Sequence, residues 1–127
     1  MEKEKKFDLE DRLVVFAVKI SALVESLPTT ISARNISSQL IRSGTAPALN
    51  YGEAKSAESS NDFIHKMKIA LKELRESYIG LKILKQIYIQ KQDVLLDNCL
   101  QECNELISIF VKSIQTAERN RKMKQGG

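Results

Sequence analysis

Apolar residues recur along this chain at alternating steps of three and four, the spacing that lines one face of an α-helix. Between residues 9 and 27 they fall at Leu9, Leu13, Phe16, Ile20, Leu23 and Leu27. Val14, Val18 and Val24 are expected to widen this stripe, as a helix that touches two neighbours requires. Pro28 ends the element, because the residue before a proline is pushed out of helical geometry. A second stripe begins at Ile36 and Leu40, where Ser43, Gly44 and Ala48 offer small surfaces for close backbone approach. Pro47 lacks the N–H that would bond the Ser43 carbonyl, which predicts a kink or break before this helix closes near Ala54.

The third segment has the clearest start: Ser59, Ser60, Asn61 and Asp62 are all capping types set just before Phe63. Its stripe runs Phe63, Met67, Ala70, Leu74, Tyr78, Leu81 and Leu84, reinforced by Ile64, Leu71 and Ile87. The fourth carries Leu96, Cys99, Cys103, Leu106, Phe110, Ile114 and Ala117. Helices are thus expected at about 8–27, 30–54, 60–89 and 93–121, with flexible ends at MEKEKK and RNRKMKQGG. No alternating strand pattern competes. Four amphipathic helices joined by short connections predict an all-α, antiparallel up-down-up-down four-helix bundle.

Composition narrows the function classes. A chain of 127 residues with 43% hydrophobic and 28% charged residues suits one soluble domain with a real core. No run of about 18 apolar residues is present, so no membrane span is expected. The start MEKEKKFDLEDR is too charged for a signal peptide, which makes the cytoplasm the expected compartment. Cys99 and Cys103 share one helix face in a poor geometry for bridging each other, and with one distant histidine they fall short of a tetrahedral metal set. They are expected to pack as small apolar residues, and no metal or cofactor is assigned.

The stretch RSGTAPALNYGEAKSAESSNDFIHK, Arg42 to Lys66, concentrates glycine, proline and small polar residues. A phosphate-binding loop would need GxxxxGK and then Ser or Thr after a strand; here no lysine directly follows Gly52 and no strand precedes. It is a helix end followed by a corner. Asn50 and Glu53 are expected to satisfy backbone groups there, while Tyr51 buries its ring.

The longer run QLIRSGTAPALNYGEAKSAESSNDFIHKMKIALKE, Gln39 to Glu73, resembles the four-helix-bundle family encoded by intervening sequences in bacterial 23S rRNA genes. That family's pattern here looks like QLxRSGTSxxANYxEAxxAES, then DFIHKxKIALKE. Pro47 stands where the family usually carries an apolar β-branched residue, and Gly52 where a larger, often charged one is common. The resemblance implies a ring-like homopentamer. It also implies kinship with the accessory variability protein of diversity-generating retroelements, a basic pentamer that works beside a reverse transcriptase and nucleic acid. RNA or DNA, and by analogy a reverse transcriptase, are therefore expected partners.

The formal charge of +4 permits an anionic partner. Lys68, Lys72, Arg75, Lys82 and Lys85 gather along one flank of the third helix over roughly 26 Å at 1.5 Å per residue. Arg119, Arg121, Lys122 and Lys124 add a basic tail. Together they are the candidate nucleic-acid contacts, through phosphates rather than bases, since no aromatic residue interleaves the cations. Against this, Asp93, Asp97, Glu102 and Glu105 of the fourth helix are placed to pair with the stripe across their seam. His65, the sole histidine, has no evident orienting partner, so no catalytic residue is assigned and no enzyme is expected. The expected function is a non-enzymatic oligomeric bundle that binds nucleic acid, with a protein–protein scaffold as the alternative.

Overall fold

The computed structural model describes residues 8–126. Four helices follow in order: α1 Leu9–Glu25, α2 Ile31–Lys55, α3 Ser60–Ile87 and α4 Val94–Gly126. Each starts on a residue whose side chain accepts an otherwise unbonded backbone N–H. Asp8 accepts from Asp11 at 2.8 Å, Thr30 from Ala33 at 3.2 Å, Ser59 from Asp62 at 3.0 Å, and Asp93 from Leu96 at 3.0 Å. The expected termini of MEKEKK lie outside the described residues. At the other end α4 continues through RNRKMKQ to Gly126 instead of stopping near Arg121. Lys and Arg are good helix formers, and cations near a helix C-terminus face the negative end of its dipole.

Each helix packs on its neighbours in sequence, and α4 closes the ring on α1; the diagonal backbones stay apart, while core side chains still reach across, as Tyr51 of α2 does to Phe110 of α4. The result is a four-helix bundle of up-down-up-down order. Its core is the predicted stripes: Leu13, Phe16, Ile20 and Leu23 of α1 meet Leu40, Met67, Leu74, Leu81, Leu106 and Phe110, all essentially without exposure. Val14 and Val18 depart from expectation. They do not widen the core stripe but stand 48% and 62% exposed, because they are rotated more than a quarter-turn from Leu13 and Ile20. Ile87 likewise faces out rather than reinforcing α3.

The proline neither breaks nor ends α2. Pro47 lies inside the helix, fully buried. The lost hydrogen bond and ring clash typically cost about 3 kcal/mol in a helix interior, and burial of the ring among apolar neighbours offsets part of this. Around it, close approach does the packing. A Cβ added at Gly44 would sit 2.9 Å from Ile20 Cγ2, so α2 lies directly on α1. A Cβ at Gly80 would come within 3.1 Å of Leu40 Cδ2. Between these, Ser77 Oγ donates to Ser43 Oγ at 2.8 Å, and both serines are buried. This pair satisfies two hydroxyls that would otherwise be costly to desolvate.

Candidate nucleic-acid interface

The basic stripe divides on inspection of its partners. Lys68 Nζ meets Glu118 Oε2 at 3.0 Å, and Lys85 Nζ meets Asp97 Oδ1 at 2.6 Å, so both ends of the stripe are pinned to α4. Lys82 Nζ lies over the Tyr78 ring at 5.5 Å, a contact that leaves its charge uncompensated. Lys72, Arg75 and Lys82 are exposed and make no ion pair with any described carboxylate.

The acids expected to neutralise the stripe mostly go elsewhere. Of the four, only Asp97 reaches it. Asp93 is spent on the α4 cap. Glu102 takes both Nε and Nη2 of Arg12 at 3.1 and 2.8 Å, and Glu105 adds a further contact at 3.0 Å. Those bonds raise the Arg12 pKa, the Glu102 hydrogen bond contributing most. Glu73 and Glu76 of α3 turn the other way, onto Arg42 of α2. The Lys68 hydrogen bond holds the Glu118 carboxyl below its ordinary range. Glu118 was hidden within a basic run; the signal that could have found it is the continuing Phe110–Ile114–Ala117 register, which sets residue 118 beside α3.

The tail cations prove to be helical. Arg121 donates from Nη1 to Asn61 Oδ1 at 2.9 Å, tying the end of α4 to the first turn of α3 through a neutral acceptor. Asn61, Glu118, Arg119, Arg121, Lys122 and Gln125 line an open cleft of about 660 Å³ there. Arg75, Lys82, Arg119 and Lys122 therefore share the outer α3/α4 face, with Lys68 between them and already paired. Lys72 sits further round α3, toward α2.

The other candidates resolve into packing. Gly44 lies inside α2, as does Gly52, where an added Cβ would meet open space. Tyr51 sets its ring edge-on to Phe110 with centroids 6.2 Å apart. Glu53 does not serve the corner's backbone; it accepts from Lys66 Nζ at 2.9 Å. Burial pushes the Cys99 thiol up to about 11 and the Cys103 thiol up to about 12, and Cys103 donates to the Leu74 carbonyl at 3.2 Å. Neither is poised as a thiolate ligand or nucleophile. Among the described residues no three His, Cys, Asp or Glu side chains gather where they could hold a metal ion. No described helix is long and apolar enough to cross a membrane.

Comparison with known proteins places this geometry. The family model described as 23S rRNA-intervening sequence protein matches residues 5–112. The chain belongs to that family. A crystal structure of a protein of unknown function from the S23 ribosomal protein family of Bacteroides thetaiotaomicron is 28% identical. It covers 84% of this chain and 98% of its own, with a TM-score of 0.74. No curated protein matches. The basic end of α4, from Arg119 onward, lies beyond the family-matched segment.

Proposed function

We propose that this family member is a non-enzymatic, self-associating helical bundle that binds RNA or DNA through backbone phosphates on its outer α3/α4 face. The observation that carries the reading is the uncompensated charge there: Arg75, Lys82, Arg119 and Lys122 have no carboxylate partner among the described residues, while the acids nearby are committed to Lys68, Lys85, Arg12 and Arg42. From Lys68 to Lys82 the face runs about 21 Å at 1.5 Å per residue, enough to follow several phosphates. Each contact is modest and screened by salt, so self-association would strengthen the whole by multivalency. Cytoplasmic placement and assistance to a nucleic-acid enzyme such as a reverse transcriptase belong to the same proposal.

The test is fluorescence anisotropy with labelled structured RNA and duplex DNA across a salt series, on wild type and on Arg75→Glu/Lys82→Glu/Lys122→Glu. Binding that weakens linearly with log salt, and whose slope drops by about 3 in the variant, supports phosphate contact by these three side chains. Absence of binding at low salt would remove nucleic acid as the partner and leave the protein scaffold.

A further inference from the structure

The last turns of α4 carry charge that the fold does not use. Arg119, Arg121, Lys122 and Lys124 fall within six residues, and Met123 among them is 68% exposed, so no apolar stripe anchors this stretch. Arg119 with Lys122, and Arg121 with Lys124, are like charges three apart, a spacing that destabilises a helix. The dipole of α4 accounts for Lys124 in the final turn, but its pull fades before Arg119 and Arg121. Among the described residues none of the four makes an ion pair, and Glu118, the acid that shares their turn, is taken by Lys68.

The tie to α3 is neutral. Arg121 Nη1 donates to Asn61 Oδ1 at 2.9 Å, and α4 then runs on for about 8 Å beside Ser59 and Ser60. An acid at position 61 would suit the first turn of α3 and would also pair with Arg121. Asparagine there holds the guanidinium in place and leaves its charge unspent.

Two clefts meet at this bond, since Asn61, Arg121 and Gln125 line both. The larger, about 660 Å³, adds Arg119, Lys122 and the committed Glu118; the smaller, about 210 Å³, adds Lys124 and the two serines. Glu58 and Asp62 of the neighbouring corner line neither. The uncharged groups are thus amides and hydroxyls, and the charged ones, Glu118 apart, are all cations. A ligand that fits must bring negative charge and several acceptor oxygens. A phosphate monoester does: with a second pKa of about 6 it carries close to two charges at neutral pH, and it has three terminal oxygens. Most of the N–H groups of Arg121 are left to fork onto them. Arg119 and Lys122 belong to the outer α3/α4 face as well, so the clefts are continuous with it.

We infer that this end of the bundle grips a terminal phosphate monoester, that of a nucleic-acid strand whose internal phosphates lie along the outer α3/α4 face. The strand rests on the proposed function; the grip deepens it by adding a preference for phosphorylated ends.

The experiment is competition against a labelled RNA by fluorescence anisotropy, at low salt and about pH 7.5, where the monoester is a dianion. The competitors are one short RNA made with a 5′-phosphate, a 3′-phosphate or hydroxyl ends. One phosphorylated form is expected to bind about tenfold tighter than the hydroxyl form, the effect of one added charge-assisted hydrogen bond. Arg121→Gln/Lys124→Gln is expected to erase that ratio while hydroxyl-ended RNA still binds. Arg75→Gln/Lys82→Gln is expected to weaken every form and keep the ratio.

Asn61→Asp separates the grip from a merely structural role, because it strengthens the tie to Arg121 while cancelling its charge. This variant is expected to melt no lower than wild type and still lose the ratio; a ratio that survives in it overturns the grip. Equal binding of all three forms by wild type also overturns the grip, and leaves phosphate contact along the face intact. No binding of any form overturns both. A nucleoside monophosphate that competes as well as the phosphorylated strand makes the ligand a free nucleotide and overturns the strand end.

Discussion

α2 and α4 sit diagonally across the bundle, both edged by surface ion pairs, and differ in what holds them beneath those pairs. Besides Arg42 on Glu73 and Glu76, Lys55 on Glu10 and Glu53 on Lys66, α2 is held by shape: Gly44 against Ile20, Leu40 against Gly80, Pro47 buried, and one neutral hydroxyl pair. α4 is held by a stripe of ordinary side chains bordered on both seams by ions, with Arg12 on Glu102 and Glu105, Lys68 on Glu118, and Lys85 on Asp97. Close backbone approach fixes geometry tightly and tolerates no added atoms. Exposed ion pairs fix little, and can be rearranged at small cost. The surface beside α4, with no such close approach beneath it, is where a surplus of cations can be carried at little cost to the fold.

Substitutions should break this contrast in a graded order. Gly44→Leu comes first: it drives a side chain into the β-branched, immobile Ile20, and overpacking should cost about 3 kcal/mol in a denaturant titration. Ser77→Ala follows, at about 1–2 kcal/mol, because it strands the buried Ser43 hydroxyl. Ser43→Ala added to it should recover part of that loss; full additivity in the double-mutant cycle would contradict the pairing.

On the α4 side the losses are smaller. Arg12→Ala removes a two-pronged contact with a mostly sheltered Glu102 and should cost about 1 kcal/mol. Glu118→Ala should leave the melting temperature unchanged within error, while freeing Lys68 and tightening nucleic-acid binding at low salt. The sign with pH follows from the same pair. Lys68 lowers the Glu118 pKa, so the pair's contribution is present at neutral pH and disappears as acid titrates through the lowered value. Being at the surface, it should be visible by NMR titration of Glu118 and not in the melt.

Much of the fold was legible because the steps of three and four in Leu13–Phe16–Ile20–Leu23 and Met67–Ala70–Leu74 mark a face directly. What periodicity does not fix is how wide the buried face is, so Val14 and Val18 read as core although they point outward. Pro47 was ambiguous for a different reason: its local cost is known, but whether neighbours offset it depends on packing from α1 and α3. The candidate site was legible as a set of cations and not as a set of free cations. Which carboxylate finds which lysine depends on rotation of α4, and that rotation sends Glu102 and Glu105 to α1 and brings Glu118 to Lys68.

The buried thiols have one more consequence. Cys99 and Cys103 are the only cysteines of the chain, and both sit at zero exposure in the middle of the core. A thiol reagent can therefore mark a molecule only while its interior is open, with no surface site to contribute background. At low reagent the marking rate counts the open population; at saturating reagent it becomes the opening rate itself. The same two side chains that offer nothing to a metal thus serve as an internal stopwatch for how often the bundle comes apart.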